Sequence, residues 1–192
     1  RHTRGHIITI EDPIEFVHQH NKSIVSQREV GVDTMSFRSA LENAMRQAPD
    51  VIQIGEVRTP ETMKSALVFA ETGHLCLATL HANNTYQALQ RIINLYPDDA
   101  RDHLYMDLSM NLRAIISQRL IPNARGNGSV PAVEIMLNSP MISDLIMGGE
   151  IADIREAMEK SADEGMMTFD QSLFGLYENG VINYEDEMRS AE

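Results

Sequence analysis

"PDVIQIGEVRTPE", residues 49–61, reads as a short strand that delivers a carboxylate to its end. In "DVIQI" (50–54) the residues after Asp50 are apolar except for Gln53, and a run this short between Pro49 and Gly55 suits a parallel-sheet strand better than a helix. Gly55 has no Cβ, so another backbone or a ligand can come close just before Glu56. A helix with clear boundaries follows: Thr59 can cap it, Pro60 suits its first position, and Gly73 can end it. A strand, a carboxylate and a returning helix make one α/β unit, and the question is whether neighbouring segments repeat it.

They do. "HIITI" (6–10) is β-rich and must stop near Glu11, because Pro13 cannot donate a ladder hydrogen bond. "SIVSQREV" (23–30) is a second strand candidate, and "SFRSALENAMRQ" (36–47) is a helix capped by Ser36, with Phe37, Leu41, Ala44 and Met45 on one face. "HLCLATL" (74–80) reads as another buried strand, and "NNTYQALQRIINLYP" (83–97) as a helix closed by Pro97. A longer helical pattern runs from about Asp98 to Ser117. "QRLIP" (118–122) and "SVPAVEIML" (129–137) flank Gly126-Asn127-Gly128, a hairpin-turn signal. Four helical stretches follow, at about 139–148, 150–161, 168–179 and 183–191. Strands alternating with helices over 1–117 predict a mostly parallel α/β sheet, to which a hairpin and a helical subdomain are appended.

The 192 residues suffice for one well-filled core, and 43% apolar with 23% charged residues is an ordinary globular composition. A net charge of −12 argues against nucleic acid as a partner, since displacing phosphate counterions needs a basic footprint. Cys76 is the single cysteine, which excludes an internal disulfide and a cysteine-cluster zinc site and suits a small core hydrophobe. No apolar run approaches the roughly 20 residues a membrane helix requires. The start at "RHTRGH", with a strand almost at once, suggests a chain that begins inside a domain.

Ligands of open parallel sheets bind beyond the carboxyl ends of the strands. Three such ends carry polar chemistry: Glu11, Asp12 and Glu15 after the first strand, Glu56 after the third, and Thr79, His81, Asn83 and Asn84 after "HLCLATL". A carboxylate there can hold Mg²⁺ or orient an attacking water, and histidine or threonine beside a polyphosphate can steady its developing charge. Arg28 and Arg58 are candidate phosphate or intersubunit contacts, although Arg58 equally suits a surface ion pair. His74 equally suits a hydrogen-bonded core histidine, and "HQH" (18–20) a solvated loop. The twelve methionines are most simply adaptable packing.

"TIEDPIEF" (9–16), "PDVIQIGEVR" (49–58) and "TGHLCLATLHANN" (72–84) resemble the Asp box, Walker B and His box of the secretion ATPase superfamily, in order and at suitable separations. The likeness continues through "VSQREV", "ISQRL" and "MMTFDQSL" and is nearest to the type IV pilus retraction ATPases, the PilT/PilU family. Assembly and type II secretion relatives usually insert a four-cysteine module after "QRL", and here a cysteine-free hairpin stands instead. "MISDLIM" (141–147) aligns with a motif of the form Ala-Ile-Arg-Asn-Leu-Ile-Arg in PilT, with Ser143 and Met147 in place of its arginines, which favours the PilU side.

The resemblance implies a fold in which 1–137 is the C-terminal portion of a RecA-like ATPase domain and 138–192 a helical subdomain. It implies a homo-hexamer that binds ATP with Mg²⁺ and drives pilus retraction from the cytoplasmic side of the inner membrane, with a PilT-like paralogue and the inner-membrane pilus platform protein as partners. It makes Glu56 the Walker B carboxylate and Glu15 the water-activating base. Glu11, Asp12, Gly55, Thr72, His74, Thr79 and His81 would support the nucleotide and Mg²⁺ site. Gln53 departs from the four apolar residues usual before Gly-Glu, and as a buried amide it needs partners.

No "GxxxxGK[ST]" loop occurs in the chain, although phosphate binding in such enzymes rests on it. The resemblance places that loop upstream, after a PAS-like domain, so the expectation is that these residues are the C-terminal part of a longer protein. Three rival readings remain: an assembly or type II secretion ATPase, a metal-dependent hydrolase built from Glu11, Asp12, Glu15, His74 and His81, and a non-catalytic accessory subunit.

Overall fold

Four parallel strands form the first sheet: β1 (His6–Glu11), β2 (Ile24–Glu29), β3 (Val51–Ile54) and β4 (Leu75–Ala78), in the order β2-β1-β3-β4. These are the runs read from the sequence, and the computed structural model describes residues 4–126 and 128–190 of the chain. Asn127 of the expected hairpin turn and Ala191 of the last expected helix lie outside the described residues. The chain divides into two compact units, one ending at Leu80 and one beginning at His81.

In the first unit the registers Ile8↔Ile52 and Ile10↔Ile54 put four isoleucines on one face of the sheet, and all four are fully buried. Helix α1 (Phe37–Ala44) contributes Ala40, Leu41 and Ala44 to this core, and helix α2 (Pro60–Glu71) contributes Met63, Ala66, Leu67 and Phe69. Ser36 and Thr59 cap these helices as expected, accepting from the backbone N–H of Ser39 and Thr62. Met45 does not join the α1 face; it starts a 3-10 turn and is exposed. Cys76 is half-buried on β4, and burial pushes its thiol up to about 11, so it is an inert thiol at neutral pH.

Two expectations for this sheet are corrected. Strand β4 is not buried: Leu75 is 51% and Leu77 49% exposed, because they share the sheet face of Gln53, opposite the isoleucines that α1 and α2 cover. Gln53 is half-buried rather than buried, since it alternates with Ile52 and Ile54 and faces away from α1 and α2, in register with Thr9 and Leu77. Its amide thereby keeps access to solvent and escapes the penalty of an unpaired buried group.

The second unit holds helix α3 (Thr85–Asn94), helix α4 (Arg101–Asn111) and the antiparallel hairpin of β5 (Ala114–Pro122) and β6 (Ser129–Leu137). Helices α5 (Pro140–Met147), α6 (Ile154–Lys160), α7 (Phe169–Glu178) and α8 (Tyr184–Ser190) follow. The long helix expected to Ser117 stops at Asn111, and β5 begins four residues before Gln118. Two causes are visible. Ile115 and Ile116 are β-branched and pair with Met136 and Ile135 across the hairpin. The last carbonyls of α4 are also taken by side chains: Asn138 Nδ2 donates to Ser109 O (2.8 Å) and Leu112 O (2.9 Å), and the Ser143 hydroxyl donates to Ser109 O (2.8 Å). The Ser109 hydroxyl in turn meets Met147 Sδ at 3.8 Å. Ser143 and Met147, the two departures from the arginine-bearing motif, are therefore both seated on the end of α4.

Candidate functional site

Because all four strands are parallel and in register, Glu11, Gly55 and Thr79 follow one another at a single carboxyl edge. Glu11 closes β1, Gly55 N–H donates to Ile10 O (2.7 Å), and Thr79 N–H donates to Ile54 O. The Thr79 hydroxyl donates to Gly55 O, which pins the turn that carries Glu56. Glu56 is mostly covered, its side chain 14% exposed, and Arg58 Nε donates to its Oε2 at 2.5 Å. Arg58 is 59% exposed, so this pair orients the carboxylate more than it stabilises the fold.

Glu56 and Arg58 line an open cleft of about 430 Å³ together with Asp12, Arg38, Thr59 and Glu61. The start of α2 forms one wall, and Glu61 in its first turn is held below the usual carboxylate range by its own backbone amide and by the Thr59 hydroxyl. Three carboxylates, two guanidinium groups and a helix start in one cleft provide hard oxygen ligands beside anion-binding groups, which suits a magnesium-bound polyphosphate. Gly55 sets the closeness of this edge: an added Cβ would sit 3.0 Å from Ile10 O and 3.1 Å from Glu11 Cα. Gly55→Ala is expected to cost about 1–3 kcal/mol by overpacking, read as a lower urea midpoint with an unchanged slope.

Glu11 is only 8% exposed, and it accepts from the Thr9 hydroxyl (2.6 Å) and from Gln27 Nε2 (3.0 Å). It is a structural anchor, and Gln27 extends it. Gln27 Nε2 also donates to Phe16 O (2.9 Å), and Gln27 Oε1 accepts from His18 N–H (2.7 Å). Glu29 Oε2 accepts from Ile14 N–H at 3.0 Å. Side chains of β2 thus clamp the loop that carries Asp12 and Glu15. "VSQREV" read as a strand alone does not show this role for Gln27 or Glu29. The available signal was their period-2 spacing, which places both on the face of Glu11.

Not every expected residue reaches this edge. Glu15 is exposed on the loop. Arg28 Nη2 donates to Gln47 Oε1 (3.1 Å), on the helix-covered face. Thr72 and His74 lie at the opposite, amino edge, apart from the strand ends that carry Glu11, Glu56 and Thr79. Leu75 pairs with Val51 at the start of the strands, and the twelve residues of α2 carry the chain back about 18 Å first. There the Thr72 hydroxyl meets His74 Nδ1 at 3.0 Å, and the His74 ring stands edge-on to Phe69 at 5.5 Å. His81 opens the second unit, where its carbonyl accepts from Arg91 Nη1 (2.8 Å). In the "HQH" loop, His20 Nδ1 accepts from Val25 N–H. Among the described residues no three His, Cys, Asp or Glu side chains are grouped so as to hold a metal ion.

A profile of the Type II/IV secretion system protein family matches residues 1–144. The chain belongs to that family. Within it, the type IV pilus ATPase PilU of Pseudomonas aeruginosa is 55% identical over 192 residues, which is 100% of this chain and 50% of the relative. The type IV pilus retraction ATPase PilT of the same organism is 42% identical over 187 residues, 97% of this chain and 54% of the relative. Among solved structures, the ADP-bound pilus retraction motor PilT matches with a TM-score of 0.90 at 43% identity, covering 100% of this chain and 54% of its own. The ATPase DotB of Legionella pneumophila matches with a TM-score of 0.85 at 25% identity, covering 97% and 51%. The α/β fold, read from strands alternating with helices, and the likeness to the retraction ATPases, read from the three motifs, are borne out. The chain spans about half the length of the curated relatives it matches.

Proposed function

We propose that these residues form the Walker B half of an ATP-hydrolysing motor subunit that drives type IV pilus retraction. One observation supports this reading above the others: Glu56, Asp12 and Arg58 share a cleft at the carboxyl edge of a parallel sheet in a chain similar to PilU and PilT. In this reading Glu56 and Asp12 would hold Mg²⁺, which supplies charge neutralisation to a bound polyphosphate. Glu15 serves as the water-activating base and needs its loop to move toward the cleft, while Gln27 and Glu29 set where that loop starts. Thr79 keeps Glu56 in place through Gly55. Arg28, Thr72, His74 and His81 act at subunit boundaries of a homo-hexamer rather than within one chain's cleft.

Residues 1–137 are the C-terminal portion of the RecA-like domain and 138–192 the helical subdomain. The motor works at the cytoplasmic face of the inner membrane with a PilT-like paralogue and the pilus platform protein. Among the described residues no helix is long and apolar enough to cross a membrane. The cysteine-free hairpin gives no support to an assembly or type II secretion role.

Because the phosphate-cradling loop is absent from these 192 residues, they are expected to show no Mg²⁺-dependent ATP turnover alone. A protein that joins them to an upstream P-loop is expected to turn over ATP and to restore twitching to a strain lacking it. Turnover by the 192 residues alone, beyond contaminant level, contradicts the division of labour. A joined protein that neither hydrolyses ATP nor restores twitching contradicts the function.

A further inference from the structure

We propose that Arg119 is a positioning residue that ties the C-terminal helices to the loop carrying His81, so that the tail of the chain sets how firmly that loop is held. The functional consequence rests on the reading of His81 as a residue of the ATPase.

Three bodies meet on one guanidinium. Arg119 Nε donates to Asn83 O (3.3 Å), its Nη1 donates to Ser190 O (3.3 Å), and its Cζ lies 4.3 Å from the Phe169 ring centroid. These partners belong to the loop before α3, to α8 and to α7, and they are remote in sequence: Asn83 is 36 and Ser190 71 positions from Arg119. A planar guanidinium can serve two carbonyls with separate N–H groups while its face stacks on an aromatic ring. An ammonium has neither the fork nor the flat face. The site therefore calls for arginine rather than for a positive charge alone.

The loop is held by its backbone from several sides. Arg91 of α3 takes His81 O (2.8 Å), Arg119 of β5 takes Asn83 O, and Glu134 of β6 accepts from Thr85 N–H at 2.5 Å. Gln87 Oε1 accepts from Asn83 N–H (3.2 Å), and Asn84 Oδ1 accepts from Gln87 N–H (2.9 Å). Of these grips, Arg119 runs on into the tail. The two tail contacts differ in kind. Phe169 is 1% exposed and belongs to a core with Ile121, Ala132, Leu173 and Ile182, so it is a fixed backstop. No residue of helix α8 is fully buried; its ties include the edge contact of Tyr184 with Tyr177 (5.9 Å) and the bond from Arg119 to Ser190. An element with no fully buried residue detaches at lower free-energy cost than one seated in a core, so α8 is the adjustable end of this line.

The test compares the complete motor protein with three variants: Arg119→Lys, a truncation before Tyr184, and Arg155→Ala. Arg155 pairs with Asp170 and Glu159 on the tail surface and serves as the control. Amide hydrogen exchange is followed in the peptide covering residues 81–87, with peptides from β1 and α5 as references. Arg119→Lys and the truncation are each expected to raise exchange in 81–87 by about fivefold or more while the references stay unchanged and Arg155→Ala stays silent. ATP turnover is expected to fall about tenfold in both, with KM for ATP within about twofold, as for a displaced rather than a deleted group. Unchanged exchange in 81–87 after the truncation overturns the proposal, and so does a rise of equal size in all three peptides, which marks general loosening. If Arg119→Lys fails to fold, the truncation decides, because no residue of α8 is fully buried. If the parent shows no turnover, the ATPase reading fails while the exchange result still judges the coupling.

Discussion

Glu56→Gln in the complete motor protein is expected to lower ATP turnover by about 10²–10⁴-fold, the range over which positioned acids and bases act. The substitution keeps the shape of a side chain that is 14% exposed and wedged between the Gly55 turn and Arg58, so the fold should survive it. It removes the negative charge that would hold Mg²⁺ and orient water, and it removes the ion pair between Glu56 and Arg58. Under the proposed function nucleotide binding depends mainly on a phosphate-cradling loop, which these residues do not contain, and should stay within about tenfold, the lower end of what losing an outer-shell partner costs a metal site. The result therefore combines lost turnover with retained binding of labelled ATP and an unchanged unfolding midpoint. Glu61→Gln makes a useful contrast: its carboxylate lines the same cleft but is held by the start of α2, and turnover should change little. Turnover within about fivefold of the parent for Glu56→Gln would remove this residue from the chemistry, since general acid–base groups contribute at least about 10²-fold.

What could be read in advance divides along physical lines. The four strands of the first sheet were legible because short apolar runs are cut by Pro13, Pro49, Gly55 and Gly73, and such punctuation acts locally. Ser36 and Thr59 were legible as caps for the same reason. The exposure of β4 was not, because Leu75 and Leu77 look like core residues whatever lies beside them; burial depends on the neighbouring layer, not on the strand. The start of β5 was hidden because residues 112–117 continue a helical period, and only pairing with β6 and the seating of Asn138 and Ser143 on α4 end that helix. At the site, Glu56 followed from the carboxyl-edge rule alone. Thr72 and His74 enter through the likeness to the His box; spacing records only that they precede β4, whereas their edge follows from the direction in which α2 returns. The clamp by Gln27 and Glu29 joins β2 to a loop through side chains, a contact that periodicity in one segment cannot express.

Phe69→Ala is expected to be the most destabilising single change in the first unit, by about 3–5 kcal/mol. Phe69 is fully buried and among the largest such side chains in the chain, and it lies on the face of α2 that also buries Met63, Ala66 and Leu67 against the sheet. Removing its ring opens a cavity between elements with no spare side chain to fill it, and the fully buried Ile8, Ile52 and Ile54 cannot collapse inward without breaking the strand register. The edge-on contact with His74 is lost as well, a further 0.5–1.5 kcal/mol or so for an aromatic pair. For a chain of this length the change corresponds to a fall of roughly 6–20 °C in Tm. Phe69→Leu refills most of the volume and should recover more than half of the loss, which separates cavity from contact. The backbone carbonyl of Phe69 still accepts from His74 N–H in both variants, so the turn at Gly73 should persist. A loss below about 1 kcal/mol for Phe69→Ala would mean that α2 does not seal this core, since buried Phe deletions cost several times that, and with it would go the account of why α2 holds Glu56 at one edge of the sheet and His74 at the other.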